Sequence, residues 1–272
     1  MPSFINDKNL DELKKTETIN LYAKTLELQA KVNSSDTISF IKSLPQFNQA
    51  NYILDAGCGP AAFAYEIKEF FDKKSYIGID LEPSFIQRAK EKFRNTNNFQ
   101  FFVSDIHEFE KGLFDVILIY AVLQHVSSPS KTLTYLSSKL KENGSLILLD
   151  TREDDSETTT YPIIPVLTKM YSSLHQISNE SGRNKDCIME SENWAKENGF
   201  RIERKKFTES KPTTIEDKNT FMLYTLYISE LLERFYKLKT DQTELISQLT
   251  DWSNTQGSYA IITGGTWLVL SR

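Results

Sequence analysis

The chain has 272 residues, 39% of them apolar and 25% charged, and a net charge of −5. That size and composition suit a globular protein with a sizeable core, either one large domain or a domain with a lid. The acidic balance excludes a general field for nucleic acid, and no apolar run is long enough to span a bilayer.

Two cysteines, Cys58 and Cys187, cannot build a disulfide framework, which suits a reducing compartment. The N-terminal MPSFINDKNLDELKK lacks the apolar centre of a secretory signal. A cytoplasmic location is expected.

Residues 1–50 read as helical. Leu21, Leu26, Leu28 and Ala30 form one apolar side around Tyr22; Ile38, Ile41 and Leu44 form a second, and Pro45 stops that helix. The arm is either packing or one wall of a pocket. From Tyr52 the chain alternates. A strand over 52–55 leads through Gly57 and Gly59 to a helix from about Pro60 to Asp72. Tyr76–Ile79 is the next strand, ending at Asp80, and a helix follows over about 83–94. Phe99–Val103 is a third strand, ending at Ser104-Asp105. Phe114–Ile119, apolar throughout, is a fourth, buried on both faces. A helix over about 129–141 precedes a fifth strand, Leu146–Leu149, ending at Asp150. Such alternation predicts a doubly wound, mainly parallel α/β sheet.

The second half is less regular. Residues 151–162 are polar and Thr-rich and read as a loop, with helices expected over about 163–178 and 191–198. Phe200–Phe207 reads as an edge strand and 208–215 as a linker around Pro212. Helices over about 216–238 and 241–253 are expected to fold back on each other, and Thr266–Leu270 is the last strand.

The stretch NYILDAGCGP, Asn51–Pro60, joins a buried strand, the carboxylate of Asp55, a glycine turn and a helix start. Glycine lets a ligand approach the main chain, and free N–H groups are expected at the helix N-terminus beside that carboxylate. Asp55, Asp80 and Asp105 each end a successive predicted strand, so they should converge on one crevice at the carboxyl ends of the sheet. Two other readings stay open here. Gly57–Ala62 also fits the loose dinucleotide pattern GxGxx[GA], and such junctions carry glycine for packing alone.

LDAGCG, YIGIDLEPSFIQRAK, FFVSDIHEF, FDVILIYAVLQHV and LKENGSLILLD, in this order over residues 50–151, resemble the motifs of class I S-adenosylmethionine-dependent methyltransferases. The resemblance implies a seven-stranded Rossmann-like sheet with S-adenosylmethionine as cofactor. It implies that Asp55, Gly57 and Gly59 meet the methionine end, that Asp80 holds the ribose hydroxyls, and that Asp105 bonds the adenine amino group with Ile106 beside the ring. Tyr120 then stands beside the sulfonium, and Ala56, Leu81 and Ser104 complete the implied cofactor site. Two positions depart from the pattern: Ala61 replaces a third glycine, and Glu142-Asn143-Gly144 replaces the usual Pro-Gly-Gly turn before the fifth strand.

The rest is similar to the small-molecule subgroup, akin to ubiquinone and menaquinone methyltransferases. LYAKTLELQA resembles its N-terminal helix, placing Gln29 near the cofactor carboxylate; SGRNKD at 181–186 and the ending TWLVLSR also fit. The implied organisation is an arm over 1–45, a cofactor core over 46–151, and a region over 152–272 that completes the sheet and supplies a helical lid from about 163–180 and 213–253. His125, in LQHV, is either a general base or a structural residue. No cluster has metal-ligand spacing. The expected partner is a small-molecule acceptor, with no nucleic acid and no membrane, and the oligomeric state is open. The rival readings are a nicotinamide-dependent oxidoreductase, which leaves Asp105 unexplained, and a non-catalytic methyltransferase-like ligand-binding or scaffold protein.

Overall fold

The computed structural model describes residues 15–150, 158–180 and 184–272. Part of the expected N-terminal helix, most of the expected 151–162 loop and part of the SGRNKD segment lie outside these residues.

Five strands run parallel: β1 (Tyr52–Ala56), β2 (Ser75–Asp80), β3 (Phe99–Val103), β4 (Phe114–Tyr120) and β5 (Leu140–Asp150). Their spatial order is β3-β2-β1-β4-β5, so the winding reverses between β1 and β4. That switch point is where an open α/β sheet leaves a crevice outside its carboxyl ends.

β8 (Tyr259–Ser271) is antiparallel to β5 and carries the edge strand β7 (Arg201–Ser210) on its other side. It extends beyond the end of β5, and β6 (Thr158–Tyr161) pairs with the part that remains. The sheet has eight strands among the described residues, one more than expected. The addition is Thr158-Thr159-Thr160-Tyr161, expected as loop. Thr and Tyr suit a pleated surface, and the overhang of β8 offered an unpaired edge, so tertiary pairing overrode the polar composition.

The helices are α1 (Thr16–Val32), α2 (Ser34–Lys42), α3 (Pro45–Gln49), α4 (Ala62–Glu66), α5 (Pro83–Lys92), α6 (Pro129–Ser137), α7 (Pro165–Glu180), α8 (Cys187–Glu197), α9 (Ile215–Tyr236) and α10 (Gln242–Asn254). Pro45, expected as a stop, instead opens α3 at its first position, where a missing N–H costs nothing. α4 starts two residues after Pro60, because Ala61 is left-handed at φ 53°. Glu142-Asn143-Gly144 lies within β5, at a register shift against β4, rather than in a turn before it.

Alternate residues of the strands feed opposite faces. Ile53, Tyr76, Val116, Leu118 and Ile147 pack with α2, α3, α4 and α5, whereas Leu54, Ile79, Ile117, Leu146 and Leu268 pack with α6 and α8. β4 is buried on both faces, as its continuous apolar sequence predicts. A third cluster joins α1, α7, α9 and α10. No helix among the described residues is long and apolar enough to cross a membrane.

Candidate functional site

A cavity of about 450 Å³ opens at the carboxyl ends of the parallel strands, with α1 along one side. That volume is within the range of small-molecule pockets. Its floor is the β1 end. Asp55 is 1% exposed; Oδ2 accepts from the Tyr76 hydroxyl, and Oδ1 is buried with no hydrogen-bond partner. Asp55 pairs with Gly78 on β2, so Tyr76, two residues back, shares its face. Burial pushes the Asp55 carboxyl up to about 7; the Tyr76 hydrogen bond opposes that rise and nearby Asp80 adds to it.

The glycine turn presses on the neighbouring strands. Gly57 has φ +79°, and a Cβ there would lie 2.4 Å from Val122 Cγ2. The N–H groups of Gly57 and Cys58 both donate to the Ile79 carbonyl at 2.8 Å, and that of Gly59 donates to Asp80 Oδ2 at 2.8 Å. The amides of the glycine turn itself are therefore not free for a ligand. Amides at a packed strand end must be satisfied, and the end of β2 satisfies these. Asp80 Oδ1 accepts from the Glu82 N–H at 2.9 Å, and burial raises the Asp80 carboxyl above its ordinary value. Cys58 stays a thiol, since burial and the carboxylates of Asp55 and Asp80 all oppose its ionisation.

The structure brings Gln29, Asp55, Gly57, Gly59, Asp80, Leu81, Ser104, Ile106, Tyr120 and His125 to this one cavity. Ala56 and Asp105 are not among the lining residues. Ala56 is buried beneath, in the core. Asp105 Oδ1 accepts from the His107 N–H at 2.7 Å, capping a 3-10 turn over Ile106–Glu108. Gln29 donates through Nε2 to the Tyr224 hydroxyl at 3.1 Å. Tyr120 packs against Phe63, with ring centroids 4.7 Å apart, and burial raises its phenol above the ordinary value. His125 is exposed, on the 3-10 turn Leu123–His125.

Sequence reasoning left Tyr22 and Leu26 between packing and a pocket wall, and missed Glu82, Phe85 and Val122 as lining residues. The first two had a signal, because Tyr22, Leu26 and Gln29 follow the spacing of one helix face. Tyr76 had none beyond strand pairing. No described residue from 163–180 or 213–253 lines the cavity. α9 packs on α1, and its Tyr224 reaches the site through Gln29. No group of His, Cys, Asp or Glu among the described residues is arranged to hold a metal.

The family described as "Methyltransferase domain" matches residues 48–222, more than half of the chain. The malonyl-[acyl-carrier protein] O-methyltransferase of Paenibacillus sp. (strain JDR-2) is 28% identical over 136 residues, 46% of this chain and 49% of that protein. The protein of the same name from Priestia megaterium (strain DSM 319 / IMG 1521) is 31% identical over 131 residues, 47% of each chain. The chain thus spans about half the length of the curated relatives it matches. Magnesium protoporphyrin IX methyltransferase from Synechocystis PCC 6803, solved with bound SAH, shares the fold at a TM-score of 0.56, with 15% identity, over 96% of this chain and 97% of that one. The glycine turn, the carboxylates ending β1 and β2, and the winding reversal all fall inside the matched span, and the chain belongs to the methyltransferase-domain family.

Proposed function

We propose that the chain is an S-adenosylmethionine-dependent methyltransferase acting on a small-molecule acceptor. The observation that carries this reading is the unmatched Oδ1 of Asp55 in the cavity floor. A buried carboxylate oxygen without a donor is costly, and the α-ammonium of S-adenosylmethionine is a donor of the right charge. Asp80, at the next strand end, has lone pairs left for ribose hydroxyls. Leu81, Ile106 and Val126 give an apolar wall for adenine, with Ser104 at its edge, and Gln29, also in the lining, can serve the methionine carboxylate. NAD lacks an α-ammonium and offers Asp55 Oδ1 only neutral donors, so a buried carboxylate there favours the methyl donor over the nicotinamide reading.

When bound, S-adenosylmethionine supplies a methyl group already activated on a sulfonium. The protein's part is to align an acceptor with it and to exclude water. Tyr22, Phe63 and Tyr120 supply aromatic faces around the cavity, which suit a cation. α1 shields its flank. His125, at the exposed end of the lining, is placed to take a proton where the acceptor is a hydroxyl or an acid. The organisation follows as an arm over 1–45, a cofactor core over 46–151 and a sheet-completing region over 152–272. A net charge of −5 argues against a phosphate backbone as acceptor.

The test is transfer of labelled methyl from S-adenosylmethionine to a panel of phenols, amines and malonyl thioesters, the last chosen from the names of the curated relatives. Labelled product with a small acceptor is expected. Binding of S-adenosylmethionine without turnover of any acceptor would favour a ligand-binding protein, and binding of NAD instead would overturn the cofactor.

A further inference from the structure

Tyr76 is fully buried in β2, and its ring is held by Phe71, Phe99 and Phe101, with centroids 5.0, 5.0 and 5.8 Å away. Aromatic packing on three sides leaves the hydroxyl one direction, toward Asp55 Oδ2. We propose that Tyr76 is a positioning residue for the cofactor's amino-acid end. Its hydroxyl favours the ionised form of Asp55 and engages Oδ2, leaving Oδ1 unmatched for a cationic amine. The inference rests on the cofactor reading above and adds to it a residue one layer below the cavity.

Direction of donation follows from the surroundings. Burial and the neighbouring Asp55 keep the proton on Tyr76, so the phenol donates and the carboxylate accepts. Tyr76 and Asp80 of β2 act on Asp55, and Asp55 acts on Cys58 in the turn; Tyr22 and the neutral Gln29 of α1, Tyr120 of β4, Glu82 ahead of α5 and His125 line the same cavity. No lysine or arginine lines the cavity among the described residues. Tyr76 is thus the one group among Asp55's causes that opposes the rise of its carboxyl toward neutrality. An ammonium ligand binds the ionised carboxylate, so its affinity falls as pH drops below about 7. Removing the phenol hydroxyl moves that fall to higher pH.

The test compares two ligands by calorimetry between pH 5.5 and 9. S-adenosylhomocysteine carries the amino-acid end; 5′-methylthioadenosine keeps adenine and ribose but lacks it. Tyr76→Phe retains the ring packing. It is expected to weaken S-adenosylhomocysteine about tenfold near neutral pH, to move the midpoint of its pH dependence upward, and to leave 5′-methylthioadenosine within about twofold. The ligand's own ionisation is common to both proteins and cancels. Asp55→Asn is expected to flatten the profile, with no further shift when Tyr76→Phe is added. A 3-fluorotyrosine at position 76, a stronger donor, moves the midpoint down and keeps the test available should Tyr76→Phe fail to fold. An unmoved midpoint, or equal losses for both ligands, overturns the assignment of Tyr76. Failure of the parent protein to bind either ligand overturns the cofactor reading itself.

Discussion

A carboxylate that is 1% exposed, with one oxygen unmatched, is destabilising when ionised in the ligand-free protein. The folded Asp55 carboxyl titrates at about 7, against about 3.9 for an unfolded aspartate. The folded state therefore holds the extra proton between those values. Its contribution to stability is full below about pH 4 and is lost as pH rises through about 7, with a slope of at most about 1.4 kcal/mol per pH unit. Denaturant unfolding at pH 5 and pH 8 is expected to show the parent losing more stability than Asp55→Asn, and parallel losses would contradict this. Asp80 has a second task, since it also accepts from the Gly59 N–H. Asp80→Ala is expected to cost cofactor affinity by roughly 1–3 kcal/mol and to lower the melting temperature too. Asp105→Asn keeps an Oδ1 acceptor for the His107 N–H, so the fold survives, and its affinity loss is expected to be the smaller of the two. Equal losses in calorimetry would put Asp105 on the same wall as Asp80. The carboxylates at strand ends were legible because a strand end is marked by its last apolar residue. Tyr76 was not, since a tyrosine in a strand looks the same whether its hydroxyl meets a carboxylate or solvent.

α1 brings Tyr22, Leu26, Gln29 and Ala30 to the cavity, and behind it lies α9 with Phe221, Tyr224, Ile228 and Leu231 in a shared apolar cluster. The apolar richness of α9 was legible; what it covers was not. An amphipathic face shows that a helix is buried but not which partner buries it, and here the partner is α1 rather than a ligand. β6 was hidden for a related reason, because the pairing edge it needs belongs to a strand a hundred residues later. These placements separate two substitutions. Leu26→Trp adds bulk opposite Gly59, whose Cβ position lies 4.0 Å from Leu26 Cδ1. It is expected to reduce cofactor affinity more than tenfold, because a ring added to a close-packed wall displaces the ligand or the helix. Tyr227→Ala, on α9 and away from the lining, is expected to leave that affinity within about threefold. Calorimetry on both variants checks the pair, and a larger loss at Tyr227 would show that α9 supports the cofactor wall.

Two of the three apolar clusters lie on opposite faces of the sheet, and the third is built on α1, α7, α9 and α10. The cavity draws its walls from both parts: the strand ends and glycine turn on one side, Tyr22, Leu26 and Phe85 of the helical cluster on the other. A ligand filling it bridges the sheet and the helical layer. Anything that binds the folded state alone stabilises it by mass action. At a hundred times its dissociation constant the gain is about 2.7 kcal/mol, which for a chain of this size is a rise of about 5–10 °C in melting temperature. S-adenosylhomocysteine is expected to give that rise and NAD none. The location of the cavity adds a sharper expectation for hydrogen exchange. Amides of α1 and the glycine turn should slow on binding, and those of α9 should follow, because α9 packs on α1. Those of the edge strand β7, which lies across β8 from the parallel strands and contributes nothing to the lining, should exchange as before. Protection confined to the strand ends, with α1 and α9 unchanged, would show that the helical layer is only a neighbour of the site and not one of its walls.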